Sequence, residues 1–281
     1  MNEPIMKISK LSLKFGKKAV INDLDVQFQK KESVVIAGRN GVGKSTLLRC
    51  IAGVLLPDKG KIIFAQGITR AKIGFISDAL SLFEDWSLQR AIDFHCRVFD
   101  IKEFQDSLIK QIGLNRNQKI KNLSAGQRVI FHLSLILSQK PELLLIDEIL
   151  HLIDPYIREL FLDSLIEVME SYSPTIVMVN HTFTEIEKIP ERVLIMEQGR
   201  FIVDEPIDQL KKKIKKVVSE SPIPSELPCI FKKENGFYKE YFVYPFLEDF
   251  KSTYKYEFLD IDLTEIIKAF LGGSYDKERI S

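Results

Sequence analysis

The chain has 281 residues, which at the usual ~150 residues per domain predicts about two domains. Hydrophobic residues make up 45% of it and charged residues 28%, and these values exclude a disordered or collagen-like chain. The formal net charge of +1 does not favour nucleic acid or a membrane surface as a partner of the whole chain. Three cysteines without metal-like spacing indicate a reducing compartment, and no apolar run reaches the ~20 residues of a membrane helix.

The first part of the chain predicts strands. Residues 8–15 alternate between apolar and polar side chains, as a half-buried strand does, and residues 19–28 predict one or two more strands. The apolar run 33–37 leads into a glycine-rich turn and a leucine-rich helix. Further strands are predicted at residues 61–65 and 71–76.

Residues 80–138 have apolar side chains at helical spacing, which predicts a helical insertion. Strands alternating with helices then return at 143–146, 175–179 and 192–196, a pattern typical of a parallel α/β sheet. The lysine run that follows, residues 211–216, has two interpretations. The simpler interpretation is a helix face exposed to solvent. The more specific interpretation is a surface that contacts anionic lipid or nucleic acid.

The end of the chain predicts a small separate domain. Residues 211–228 combine the lysine run with a proline-rich stretch and predict a linker. Aromatic-rich strands are expected at 237–244 and 254–259, and a closing helix at 263–271, so residues 229–281 form a predicted C-terminal accessory domain.

Residues 38–45 read Gly-Arg-Asn-Gly-Val-Gly-Lys-Ser and match G-x-x-x-x-G-K-[ST] between a strand and a helix. The glycines let backbone N–H groups crowd around phosphate oxygens, and the start of the helix adds a partial positive charge. Lys44 supplies a point charge for the β- and γ-phosphates, and the Ser45 hydroxyl can ligate Mg²⁺. The predicted nucleotide-binding residues are Gly38, Arg39, Asn40, Gly41, Val42, Gly43, Lys44, Ser45 and Thr46.

Residues 123–127, Leu-Ser-Ala-Gly-Gln, predict the start of a helix. Ser124 and Gln127 have the spacing of a capping box that opens an apolar helix. Such a helix start presents free N–H groups and a partial positive charge. On its own, this pattern is also what a plain helix cap has.

Residues 143–148, Leu-Leu-Leu-Ile-Asp-Glu, predict a buried parallel strand that ends in two carboxylates. Ligands bind at the carboxyl ends of strands in such sheets, so the position suits a metal site.

These three motifs, in this order, resemble those of the ABC ATPases over roughly residues 5–210, and residues 123–127 resemble the LSGGQ signature with Ala125 at its middle glycine. The resemblance implies an α/β fold, a P-loop NTPase of ABC type. Within it we expect an antiparallel β subdomain, an inserted helical subdomain at about 80–138 and a small α+β C-terminal extension. The ATPase domain would span residues 1–210.

The resemblance also implies residue roles. Asp147 would hold Mg²⁺, Glu148 would polarise the attacking water, and His181, after the strand at 175–179, would contact the γ-phosphate, which with Lys44 makes the catalytic set. Ser124, Ala125, Gly126 and Gln127 would face the γ-phosphate bound by a second cassette. Asp154 would contact that opposite cassette, and Phe15 would stack on adenine unless it fills the core.

Two departures from the family pattern stand out. Asp78 replaces the glutamine expected after residues 73–77, and we expect it to contact Mg²⁺ through a bound water and to make the site depend more steeply on the metal. Ile149, Leu150, His151 and Leu152 replace the usual Pro-Thr-Ser-Gly.

The predicted function is that of an ATP-binding and ATP-hydrolysing subunit of an ABC transporter, with ATP and Mg²⁺ as cofactors. It would work at the cytoplasmic face of the cell membrane with polytopic membrane subunits, which it would contact near residues 83–86. A second copy or a related cassette would complete a head-to-tail dimer. Similarity of the tail to export ATPases favours export.

One alternative is a soluble ABC ATPase acting on nucleic acid or ribosomes. A single set of motifs and the 80 residues between Lys44 and Ser124 argue against it. Another is a binding module without turnover, which Glu148 opposes.

Overall fold

The computed structural model describes residues 3–77, 83–180, 183–184, 186 and 188–272. The chain divides into two compact units: residues 1–33 with 45–180, and residues 34–44 with 181–281. The phosphate-loop residues 38–44 therefore group with the C-terminal part of the chain. The boundary of the ATPase domain after residue 210 stays a prediction.

An antiparallel sheet of order β2-β1-β4 occupies the start of the first unit. Its strands are β1 (Pro4–Phe15), β2 (Lys18–Gln29) and β4 (Lys59–Phe64). The predicted alternation holds in β1, where Ile8, Leu11 and Leu13 are buried. Residues 19–28 form one strand, which pairs with β1 from Gln29 to Lys18.

Three parallel strands of the first unit lie in the order β5-β6-β7. They are β5 (Ile73–Ser77), β6 (Leu143–Asp147) and β7 (Thr175–Val179). Every residue of β6 and β7 is buried, as the continuous apolar sequence predicted. Asp147 pairs with Ser77 on one side and with Val179 on the other, so these three strands end together.

Helices fill the predicted insertion. It contains α2 (Leu88–Val98), α3 (Ser107–Gln111) and α4 (Ala125–Ser138), while α1 (Lys44–Ala52) and α5 (Pro155–Ser171) flank it in sequence. The insertion has its own hydrophobic core, which includes Leu88, Ile92, Ile109 and Phe131. The helical spacing of the sequence therefore reflects a separately packed cluster.

In the second unit, β3 (Ser33–Gly38) runs parallel to β8 (Arg192–Glu197), and β9 (Arg200–Pro206) is antiparallel to β8. The phosphate loop thus leaves a fully buried strand, which fixes where it starts.

The C-terminal extension has a second antiparallel sheet, of order β10-β12-β11. Its strands are β10 (Lys215–Ser219), β11 (Cys229–Asn235) and β12 (Tyr238–Val243), and its helices are α7 (Asp249–Thr253) and α8 (Leu263–Phe270). The strand predicted at 254–259 is replaced by a single bridge between Lys216 and Leu259. Aromatic side chains of this segment pack on the extension's core instead of alternating along a sheet.

The segment 211–228, predicted as a linker, contains the end of α6 (Ile207–Lys213) and all of β10. Its lysines do not form a simple solvated helix face, because three of them pair with carboxylates. The pairs are Lys213–Glu205, Lys215–Asp260 and Lys216–Glu265. Side-chain pairing, rather than solvation, thus accommodates much of this charge.

No helix among the described residues is both long and apolar enough to cross a membrane.

Candidate active site

The phosphate loop takes a shape that only glycine allows at its first position. A Cβ on Gly38 would lie 2.5 Å from the Met196 carbonyl oxygen of β8. Gly41 and Gly43 have φ angles of +72° and +113°, in the range that favours glycine. The three glycines of the motif are therefore required by the backbone and by its contact with β8.

Lys44 lies inside this loop and is 3% exposed. Its Nζ donates to the carbonyl oxygens of Gly38 at 2.9 Å and of Arg39 at 3.0 Å. Phosphate oxygens compete with such carbonyls for an ammonium group, since they carry full negative charge. The geometry thus provides a buried ammonium group whose carbonyl acceptors an anion can replace.

Arg39 extends from the loop to the end of the C-terminal helix. Its Nη2 donates to the Leu271 carbonyl oxygen at 3.1 Å. Its Nε–H is buried and has no acceptor among the described residues. The neighbouring residue Asn40 is exposed, whereas Val42 and Thr46 are partly buried.

The predicted metal ligands Ser45 and Asp147 are brought together in the first unit. Ser45 Oγ donates to Asp147 Oδ1 at 2.8 Å, and Asp147 is 2% exposed. Ser45 is partly buried, and its hydroxyl and the buried carboxylate of Asp147 are hard oxygen ligands of the kind that Mg²⁺ prefers. These residues therefore fit the metal. No group of three or more His, Cys, Asp or Glu residues fit for a metal ion occurs in the described part of the chain.

Glu148 follows Asp147 with a φ angle of +47°, unusual for a residue with a side chain. Its N–H donates to the Val179 carbonyl oxygen at 3.1 Å, at the end of β7. This bond holds the backbone turn, and the side chain is only partly buried. A strained residue at the carboxyl end of a buried strand is typical of a functional site.

The predicted capping box at the start of α4 is confirmed. Ser124 Oγ accepts from the Gln127 N–H at 3.2 Å, and Gln127 Oε1 accepts from the Ser124 N–H at 3.0 Å. Ala125 is exposed, so its methyl group has room where the family has glycine.

Gly126 has a structural role that its motif does not reveal. A Cβ there would lie 3.1 Å from Ile157 and 3.4 Å from an oxygen of Asp154. Asp154 in turn caps α5 by accepting from the Ile157 N–H at 3.1 Å. The starts of α4 and α5 therefore pack closely against each other, and the glycine permits this approach.

The remaining predicted residues have different outcomes. Phe15 is 54% exposed at the end of β1, which excludes the interpretation that it fills the core. Asp78 and His181 lie outside the described residues, so their roles stay predictions. Ile149 and Leu150, which replace the family's polar residues, are buried.

An aromatic surface lies on the helical insertion at the segment predicted to contact a membrane partner. Phe83 is 57% exposed and stacks on Trp86 at a centroid distance of 4.2 Å. Phe94, also exposed, contacts both rings edge-on. The Arg90 guanidinium lies 4.3 Å from the centre of the Trp86 ring.

The contact of Arg39 with the C-terminal helix is the feature that sequence reasoning missed. The loop residue and Leu271 are 232 positions apart, and the acceptor is a backbone carbonyl, so no residue pattern reports the contact.

Residues 21–151, just under half of the chain, match the model of the family described as ABC transporter. The methionine import ATP-binding protein MetN of Campylobacter jejuni is 28% identical over 77% of this chain and 76% of its own. The energy-coupling factor transporter ATP-binding protein EcfA2 of Clostridium tetani is 28% identical, and the match covers 79% of this chain and 85% of EcfA2. The sulfate/thiosulfate import ATP-binding protein CysA of Mannheimia succiniciproducens is 29% identical over 72% and 61%.

Two solved structures share the fold. One is described as an ATP binding subunit of an ABC transporter, with a TM-score of 0.67 and 20% identity over 74% of this chain and 92% of its own. The other is cbiO1 of Clostridium perfringens, part of the ABC transporter complex cbiONQ, with a TM-score of 0.60 and 23% identity over 73% and 89%. The expected fold class is confirmed: the architecture is that of an ABC ATPase.

Proposed function

Because the chain carries an ABC-type ATPase domain, which binds ATP with Mg²⁺ and hydrolyses ATP, we propose that it supplies the energy for a membrane transporter through separate membrane subunits. The observation that carries this proposal is the bond between Ser45 and Asp147. It joins the last residue of the phosphate-binding motif to the end of β6 and so assembles two ligands for the metal that accompanies ATP.

The residues divide the work of phosphoryl transfer, which needs positioning and charge neutralisation more than covalent chemistry. Lys44 exchanges the carbonyl acceptors of Gly38 and Arg39 for phosphate oxygens. Ser45 and Asp147 would hold Mg²⁺, which when bound would neutralise negative charge on the phosphates. Glu148 orients the attacking water and accepts its proton.

The partners follow from surfaces that these roles leave free. The start of α4 at Ser124 is exposed and presents helix N–H groups, so we assign it to the γ-phosphate held by a second copy of the chain. The exposed rings of Phe83 and Phe94 form the surface for a membrane subunit at the cytoplasmic face of the membrane. In the part of the chain that the structure describes, no specific feature favours action on nucleic acid or ribosomes.

The direction of transport expected from the tail is export. The relatives do not support it, since MetN and CysA are named as import proteins. Export therefore stays a prediction, and the proposed function does not depend on it.

The test of the proposed function is Glu148→Gln, which removes the base and keeps the size of the side chain. We expect ATP binding to persist and turnover to fall roughly 10²–10⁴-fold. Glu142→Gln is the matched control, because Glu142 is an exposed residue just before the other end of β6. A Glu148→Gln chain that hydrolyses ATP at the parental rate would remove Glu148 from this role.

A further inference from the structure

The C-terminal helix α8 contacts two segments related to the predicted ATP site: the phosphate loop itself and the residues that follow His181. At its end, the Leu271 carbonyl accepts from Arg39 of the phosphate loop at 3.1 Å. Near its start, Thr264 Oγ1 lies 3.5 Å from Oγ1 of Thr184, three positions after His181. All of these residues except His181 are described, and all belong to the second unit.

Arg39 is bonded on both its side chain and its main chain. The guanidinium bonds to the end of α8, and the carbonyl oxygen accepts from Lys44 Nζ at 3.0 Å. A single residue thus connects the C-terminal helix to the ammonium group that the motif assigns to the phosphates.

The helix is itself firmly held, so it can act as an anchor. Leu263, Ile266 and Ile267 are at most 1% exposed, and Glu265 bonds to Lys216 of β10 at 2.6 Å. At its last turn, the ring of Phe270 contacts Tyr244 edge-on at 5.0 Å.

We propose that the C-terminal extension controls the ATP affinity of the phosphate loop through the bond between Arg39 and the end of α8. This inference rests on the proposed ATP site. A loop that is already anchored through Arg39 has less conformational freedom to lose when it binds phosphates. The anchor therefore increases the affinity for ATP. Arg39 is a positioning residue here, because it acts through Lys44.

The first experiment measures the Kd for ATP with Mg²⁺ by titration calorimetry of the full chain. Phe270→Ala loosens the last turn of α8 without touching the loop, and we expect the Kd to rise at least about threefold, since loop ordering then opposes binding. Phe237→Ala is the matched control, because Phe237 is 97% exposed in the same extension. In an Arg39→Ala background, Phe270→Ala should have no further effect.

A second measurement does not alter the extension. If α8 favours ATP binding, ATP must stabilise α8 by the same factor. We expect saturating ATP to slow amide hydrogen exchange in residues 264–272 at least about threefold in the wild type and not in Arg39→Ala.

The outcomes separate the two claims. A wild-type chain that binds no ATP overturns the proposed function. A wild-type chain that binds ATP without protecting residues 264–272 overturns the inference alone. So does a Phe270→Ala effect of the same size in both backgrounds.

Discussion

At the scale of single residues, Gly126 shows how packing decides which motif positions tolerate change. Ala125 is exposed and accepts a methyl group, whereas a Cβ at Gly126 would approach Ile157 to 3.1 Å. The two positions that are glycine in the family signature therefore have different surroundings in this chain. Only the second, Gly126, is buried against a neighbouring helix.

We expect Gly126→Ala to lower the free energy of unfolding by about 1 kcal/mol. Overpacking costs ~1–3 kcal/mol, and the better helix propensity of alanine offsets part of it. Urea unfolding measures the change. In an Ile157→Ala background, where the space opens, the same substitution should be neutral or stabilising, and an equal loss there would contradict the packing argument.

His132 gives the fold a dependence on pH. Burial lowers the pKa of His132 to about 4, and the neighbouring His95 contributes to the lowering. Its Nδ1 is buried with no partner in the described part of the chain. In the unfolded chain His132 has a pKa near 6.5. Between pH 6.5 and 4 the unfolded chain therefore binds a proton that the folded chain does not. Stability is therefore fully present above pH 6.5 and falls as the pH falls towards 4.

His132→Leu should flatten this dependence by up to ~3 kcal/mol between pH 6.5 and 4, measured as the difference from wild type in urea unfolding. The matched control for the loss of an imidazole is His151→Gln, at an exposed histidine. Parallel wild-type and His132→Leu profiles would show that this ring already titrates normally in the fold.

At the scale of elements, sequence periodicity predicted the strands and helices up to residue 210 well and the C-terminal extension in part. Strand β12 and helix α8 lie where they were predicted, whereas β10 and β11 were not predicted. The buried runs of β6 and β7 and the capping box of α4 are local patterns, so the sequence contains them in full. Strand β10 was missed because its lysines pair with Asp260 and Glu265 from distant segments. The site was predictable to the same extent: the motif residues carry local signals, whereas the contact of Arg39 with Leu271 depends on tertiary structure.

The aromatic surface of the helical insertion belongs to this scale. Trp86 packs partly on the insertion's own core, whereas Phe83 is 57% exposed and stacks on the Trp86 ring. A substitution of Trp86 would therefore affect folding as well as contact with a membrane subunit. A substitution of Phe83 tests the contact more specifically.

We expect Phe83→Ser to reduce the ATPase stimulation by membrane subunits at least about tenfold, because exposed aromatic side chains dominate protein contacts. The basal ATPase and the circular dichroism spectrum of the isolated chain should not change. Val98→Ser, which removes another exposed apolar side chain of the insertion, is the control. Equal effects of the two substitutions would mean that the surface has no specific contact.

At the scale of the whole molecule, the proposed site needs two chains. The phosphate loop and the exposed start of α4 are both present in each copy, so two copies paired head to tail would form two composite sites. Each site would combine Lys44 of one copy with Ser124 of the other. A defect in Lys44 and a defect in Ser124 would then damage the same sites from opposite sides.

This arrangement predicts complementation between two inactive variants. Lys44→Ala removes the charge for the phosphates, and Ser124→Arg blocks the exposed helix start, so each variant alone should lose ATPase activity. In an equimolar mixture, half of the dimers carry one copy of each, and one of their two sites is intact. Activity should therefore recover to about a quarter of wild type if pairing is random and the sites act independently. Recovery should grow with total protein concentration, since the active species forms by association of two different copies. A mixture that stays as inactive as its components, although gel filtration detects mixed dimers, would show that Ser124 does not complete the partner's site.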